Sequence, residues 1–174
     1  GHNCDVSFQR EDAGLIRFPS MVSDGPNVVW VHAEARRQKG RRGGAVAAID
    51  ELSAIVIAEA IAIHWEFGPG LFESVYESVL AGRLRKRGLT VERQVQVKAV
   101  FDGETYDPAF KIDILVEQRL VLEIKAVEKL SKAHAKQVLT YLRLLRQPVG
   151  LLLNFSEETM KDGIRRIVNG YKPE

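Results

Sequence analysis

The chain has 174 residues, 45% of them hydrophobic, with 25 Lys and Arg against 23 Asp and Glu, a net charge of +2 and a single cysteine. That length suits one domain with a real core, and one cysteine excludes an intramolecular disulfide framework and any cysteine-based zinc site. No apolar run reaches the length of a membrane span, and the first residues lack a basic start followed by an apolar stretch, so the expectation is a cytoplasmic protein with no membrane partner.

Residues 1–49 differ from the rest. Turn-like groups such as Asp24-Gly25-Pro26-Asn27 alternate with one short apolar run, Val28 to Val31, which reads as an isolated strand. Arg36, Arg37, Lys39, Arg41 and Arg42 follow. The segment holds 7 basic and 5 acidic residues, a balance of +2 that accounts for the whole net charge, so the remainder is neutral. Two readings stand: a poorly ordered extension, or a basic arm that holds phosphate backbone. The chain thus divides into an extension over 1–49, a domain over 50–170 and a short tail over 171–174.

Asp50 to Phe67 reads as a helix, with Leu52, Ile55, Val56, Glu59 and Ile63 at three- and four-residue spacing. Gly68-Pro69-Gly70 stops it. His64 in its last turn is read as packing or a cap rather than a ligand. Leu71 to Lys86 reads as a second helix. Phe72, Val75 and Val79 form an apolar stripe on it, and Glu73, Tyr76, Glu77 and Leu80 form an adjacent one, so Glu73 and Tyr76 face the same way. Arg83, Arg85, Lys86 and Arg87 make a basic end that suits the helix dipole and could also meet phosphates.

Val91 to Phe101 alternates as a strand, and Asp102-Gly103 is a strong hairpin turn. Asp107-Pro108 is read as the loop that starts the next strand. Lys111 to Lys125 then reads as a hairpin with Glu117-Gln118-Arg119 as its loop. In that register Val116 faces Leu120 and Asp113 lies opposite Glu123, so Lys111, Asp113, Glu123 and Lys125 share one end of one face. Two carboxylates so close repel unless a cation or proton lies between them, and Mg²⁺ often uses only one or two carboxylates. A slip of one residue would turn Asp113 to the other face. The alternative is a surface ladder of salt bridges among the same four residues.

Ser131 can cap a third helix, Lys132 to Arg146, whose buried face is Val138, Leu139, Leu142 and Leu145. Gln137 and Tyr141 stack on another side, opposite the leucines. The wholly apolar run Val149 to Leu153 suits a buried strand parallel to its neighbour, and Met160 to Val168 reads as a closing helix.

Asp113 followed by Glu123-Ile124-Lys125 resembles the signature of the PD-(D/E)XK, or restriction-endonuclease-like, nuclease superfamily. Gly70-Leu71-Phe72-Glu73-Ser74-Val75-Tyr76 resembles the GxxExxY motif that names one bacterial family within it, and the likeness runs from about Asp50 to Gly170. The pair Gln137 and Tyr141 resembles the QxxxY that follows the ExK strand in a branch of these nucleases and faces the active site. The resemblance implies an α/β fold with an αβββαβ core: a mixed sheet of about four strands flanked by helices, with an extra N-terminal helix. It implies a metal-dependent nuclease acting on nucleic acid, DNA being expected. Mg²⁺ or Mn²⁺ is then held by Asp113, Glu123, the backbone carbonyl of Ile124 and Glu73. Lys125 orients water or stabilises developing charge, and Lys111, Tyr76, Gln137 and Tyr141 meet the substrate. Small nucleases often cut duplexes in pairs, so a homodimer is a further expectation, although no residue points to it. The alternative is a nucleic-acid-binding or protein-interaction module that keeps the fold without turnover; the neutral charge of the domain favours it and the intact Asp113, Glu123 and Lys125 oppose it.

Overall fold

The structure, a computed structural model, describes residues 15–16, 31–33, 48–102 and 104–170. In chain order the elements are β1 (Leu15–Ile16), β2 (Val31–Ala33), α1 (Ile49–Phe67), α2 (Glu73–Lys86), β3 (Val91–Phe101), β4 (Glu104–Val116), β5 (Leu120–Lys125), α3 (Lys132–Leu145), β6 (Val149–Asn154), α4 (Met160–Gly163) and β7 (Ile164–Val168). The strands form one mixed sheet in the order β1-β7-β6-β5-β4-β3-β2. Five of them come from residues 91–168, and the two short N-terminal pieces extend the edges. Val31 therefore belongs to a strand paired antiparallel with β3 rather than to an isolated one. Val28 to Trp30, the turn at 24–27, the basic run at 36–42 and the tail at 171–174 lie outside the described residues.

The sheet has an apolar layer on each face. One contains Leu52, Val56, Ile63, Tyr76, Leu80, Leu84, Ile114, Leu122, Ile124 and Phe155, and packs α1 and α2. The other contains Val97, Leu115, Val121, Val138, Leu142 and Leu152, and packs α3. β5 and β6 are parallel and adjacent, Leu120 pairing with Val149. Covered on both faces, they read as continuous apolar runs, and Gly150 lets them meet α3: a Cβ there would lie 2.9 Å from a methyl of Val138.

Helix α2 departs from the expected stripe. Phe72 and Val75 are exposed, and the buried face is Tyr76, Glu77, Leu80, Ala81 and Leu84. Its basic end is also spent internally. Arg83 pairs with Glu66, Arg87 with Glu59, and the Arg85 guanidinium donates to the carbonyl of Val91.

The expected closing helix is one turn, α4, followed by β7 antiparallel to β6. Gly163 makes the change of course. A Cβ there would sit 2.0 Å from the carbonyl oxygen of Asn154, so only glycine lets the chain cross the end of β6 this closely. Ile164, Ile167 and Val168 then favour an extended backbone.

Asp107-Pro108 lies within β4 rather than before it, at a register shift between β3 and β4, and Asp107 pairs with Lys98 at 2.9 Å.

Candidate functional site

The β4–β5 hairpin has the expected register, with Val116 opposite Leu120, Leu115 opposite Val121 and Ile114 opposite Leu122. Its loop has Glu117 and Gln118 at φ 50 and 56, the mirror-image turn that matches strand twist. Continuing the pairing brings Asp113 alongside Glu123, and a cross-strand hydrogen bond holds it there: Ile124 N donates to Asp113 Oδ2 at 2.8 Å.

Strict alternation fails at Asp113. Ile114 packs into the α1–α2 layer and Ile112 into the α3 layer. Opposite, Arg93 pairs with Ile114 and Val95 with Ile112, while Gln94, between them, takes φ 53. A left-handed residue inside a strand interrupts the two-residue period. This is why Lys111 does not join the cluster. It is exposed.

Three side chains do converge. Glu123 is 4% exposed; its Oε1 accepts from Lys125 Nζ at 2.7 Å, and its Oε2 is buried without a hydrogen-bond partner. Burial raises the Asp113 carboxyl above its ordinary pKa; the Ile124 N–H and Lys125 work against this, while Glu77 and Glu73 add to it. Burial likewise raises Glu123, with repulsion from Asp113 adding and Lys125 opposing. Burial pulls the Lys125 ammonium down, but Glu123, Glu73 and Asp113 outweigh it, so its pKa lies above the ordinary value. The lysine is therefore held charged between carboxylates that are reluctant to be.

Glu73 reaches this cluster from α2. Its Oε1 accepts from Ala126 N at 2.9 Å, one residue past Lys125, and its charge acts on all three groups. The loop before α2 explains how it gets there. Gly70 takes φ 114, a conformation glycine adopts readily. The Tyr76 hydroxyl donates to Gly68 O at 2.6 Å and accepts from Leu71 N at 3.1 Å. Tyr76 is fully buried and its ring stacks on Phe155, centroids 4.3 Å apart. The structure thus corrects the reading of Tyr76 as a substrate contact: no part of it is accessible, and its hydroxyl fixes the loop that presents Glu73.

Tyr141 approaches from α3. Gln137 Nε2 donates to its hydroxyl at 2.7 Å, and its ring stacks on Phe110, centroids 4.4 Å apart. It is 7% exposed and packs with Val138 and Leu142, so it is not on a face opposite the leucines, as the helical spacing suggested. Its phenol pKa is raised by burial and then by the charge of Glu123, which places its polar end within reach of the site's field. Gln137 is exposed beside it.

Four residues around the site were not singled out from sequence. Glu77 is buried, with Oε1 accepting from Arg93 Nε at 2.8 Å and Oε2 from Gln94 Nε2 at 2.7 Å. The signal for it was present: a carboxylate on the same stripe as Tyr76 and Leu80. Nothing in the sequence marks Arg93 or Gln94. Asn154, at the end of β6, is fully buried and exchanges hydrogen bonds with Val127 N and O at 3.0 and 2.8 Å. It pins the chain just past Lys125, and its polarity at the end of an apolar strand was the clue to it.

The donor set suits a hard divalent cation. Glu123 Oε2 is an orphaned, buried carboxylate oxygen, a costly state that a cation relieves. Among the described residues no three His, Cys, Asp or Glu side chains form a ready metal cage. The fit is accordingly to an ion that takes one or two carboxylates and keeps waters, as Mg²⁺ does. Also among the described residues, no helix is long and apolar enough to cross a membrane.

A protein-family model described as the PD-(D/E)XK nuclease superfamily matches residues 50–167, well over half of the chain. No curated protein and no solved structure matches it.

Proposed function

The chain belongs to the PD-(D/E)XK nuclease superfamily, and on that footing we propose that it is a metal-dependent phosphodiesterase cutting nucleic acid, DNA being the expected substrate. The observation that carries the reading is the unpartnered Glu123 Oε2 beside Asp113 and the charged Lys125. Asp113 and Glu123, with the carbonyl of Ile124, are the residues that would hold Mg²⁺ or Mn²⁺. Glu73 would position a water of that ion through Oε2, which makes no hydrogen bond to a described residue. Such an ion supplies charge neutralisation at phosphorus and a more acidic bound water. Lys125 keeps its proton next to Glu123 and stabilises negative charge developing on the phosphate. Tyr141 and Gln137 border the site where a substrate oxygen could lie. The likeness of Gly70, Glu73 and Tyr76 to the GxxExxY motif supports placing the chain in that family; here the glycine and tyrosine shape the loop and the glutamate reaches the site.

The test is incubation with plasmid, single-stranded DNA and RNA in Mg²⁺, Mn²⁺ or EDTA. Cutting is expected only with metal, and Lys125→Ala is expected to abolish it while Mn²⁺ affinity stays within a few-fold of wild type. Cutting by Lys125→Ala at the wild-type rate would remove the lysine from the mechanism. A non-catalytic binding or interaction module is the second reading. It is favoured by the neutral balance of residues 50–174. Retention of nucleic acid in EDTA, with no cutting in any metal, would establish it instead.

A further inference from the structure

Glu77 is a buried carboxylate whose charge makes the site worse, since it adds to the repulsion on Asp113. It is not placed to be a metal ligand. Arg93 Nε takes one of its oxygens and Gln94 Nε2 the other, at 2.8 and 2.7 Å. The same Gln94 nitrogen lies 3.4 Å from Asp113 Oδ1. An amide nitrogen has two hydrogens, and an ionised carboxylate can only accept. Both donors of Gln94 are therefore directed at carboxylates, one on α2 and one on β4, and the amide cannot be turned over without presenting its oxygen to both.

Gln94 reaches this position through a backbone that a glutamine seldom adopts, φ 53 in the middle of a strand. A side chain held by the buried Glu77 carboxylate on one side and a left-handed backbone on the other has little freedom. Asp113 is then bracketed: Ile124 N donates to Oδ2 at 2.8 Å, and Gln94 faces Oδ1. At 3.4 Å the contact to Oδ1 is the longer of the two. Its second lone pair leaves Oδ1 able to accept a cation as well.

We propose that Gln94, held by its hydrogen bond to the Glu77 side-chain oxygen, is a positioning residue that sets the orientation of Asp113 for a divalent cation. This rests on the nuclease reading for the identity of the cation, but it concerns residues outside the superfamily signature. Groups that hydrogen-bond a ligating carboxylate typically matter 10–100-fold in affinity or activity.

The experiment is calorimetric titration of the full chain with Mn²⁺, at a temperature where each variant is folded by circular dichroism, for wild type, Gln94→Gly and Glu77→Gln. Glycine tolerates the left-handed backbone and removes the whole side chain, amide included. Glutamine at 77 keeps an acceptor for Gln94. Gln94→Gly is expected to bind Mn²⁺ about 10–100-fold more weakly, and to lower kcat on DNA with KM near wild type. Glu77→Gln is expected to stay within a few-fold in affinity. Wild-type affinity in Gln94→Gly would overturn the proposal, and so would a loss in Glu77→Gln as large as that in Gln94→Gly, because Glu77 would then act by its charge. A wild type that binds no Mn²⁺ would instead sink the nuclease reading and this inference with it. A wild type that binds Mn²⁺ but cuts nothing leaves the affinity comparison decisive for Gln94 alone.

Discussion

Tyr76 on α2 and Tyr141 on α3 lie on opposite faces of the sheet, and each ring is stacked nearly parallel on a phenylalanine, Phe155 at 4.3 Å and Phe110 at 4.4 Å. Each is buried and each follows a polar residue thought to matter, Glu73 by three positions and Gln137 by four. They part at the hydroxyl. That of Tyr76 is closed by two backbone groups, Gly68 O and Leu71 N. That of Tyr141 accepts from an exposed side chain, Gln137, and feels the charge of Glu123. The aromatic stack says only that a tyrosine is packed. The partner of its oxygen tells whether it serves the scaffold or borders the chemistry.

The largest effect should come from removing the scaffold tyrosine. Tyr76→Ala leaves a large void between α2 and Phe155 and is expected to cost about 3–5 kcal/mol in urea unfolding. Tyr76→Phe keeps the stack but leaves Leu71 N and Gly68 O without the hydroxyl, for about 1–2 kcal/mol. Below its melting temperature Tyr76→Phe should still cut, though more slowly than wild type, because the ring stays packed on Phe155 while the loop that presents Glu73 loses two hydrogen bonds. A Tyr76→Phe variant with normal stability and lost cleavage would erase the contrast between the two tyrosines.

The same contrast shows what could be read from the chain. Register, turn and strand type in the β4–β5 hairpin follow from alternation and from the polar group Glu117 to Arg119, and both are local. The capped start of α3 was legible too: Ser131 Oγ accepts from His134 N. Helix α2 misled because its stripe of Phe72, Val75 and Val79 is more apolar than the stripe that is buried. Tyr76 and Glu77 go inside because their polar atoms find partners in the Gly68–Leu71 loop and on β3, contacts that no helical period encodes. Unbroken alternation puts Lys111 on the same face as Asp113, and the left-handed Gln94 interrupts that alternation. In the same way β7 looked helical because the reason for its extended course, the approach of Gly163 to Asn154 O, is tertiary.

A smaller effect, opposite in sign, is expected where the carboxylates meet. Asp113 and Glu123 both have pKa values raised in the fold, chiefly by burial, above ordinary values of 3.8 and 4.5. A carboxylate that holds its proton more tightly when folded subtracts stability at neutral pH. The subtraction shrinks as pH falls through the folded values, and is gone below the ordinary ones. In EDTA, Asp113→Asn should therefore melt above wild type at pH 7, with the gap narrowing toward pH 4. The asparagine oxygen can keep the Ile124 N–H. Added Mn²⁺ should raise the melting temperature of wild type and not of the variant, since only a ligand that binds the folded state stabilises it. A salt-bridge ladder gives the reverse in EDTA, because Asp113→Asn would then lose an attraction to Lys125. This result bears on the tyrosines, because the charge of Glu123 that reaches Tyr141 belongs to the same cluster.

The smallest change in stability is expected from Tyr141→Phe, and it is the most informative of the set. The ring keeps its stack on Phe110 and its packing against Val138 and Leu142. The hydroxyl leaves no buried orphan behind, because its partner Gln137 is exposed and can turn to water. The cost should fall within about 0.5 kcal/mol, as for an ordinary surface change, against the larger loss for the same substitution at Tyr76. Cleavage should behave oppositely. The phenol has its pKa raised by burial and by Glu123, so it stays neutral and keeps a hydrogen to donate. A hydrogen bond to a charged group contributes about 1.5–3 kcal/mol, and each 1.4 kcal/mol is about tenfold. If the Tyr141 hydroxyl meets a phosphate oxygen, Tyr141→Phe should lower kcat/KM by about 10–100-fold while the chain melts as before. A normal rate with a lowered melting temperature would make Tyr141 a second scaffold tyrosine, and would leave Lys125 as the donor that faces the substrate.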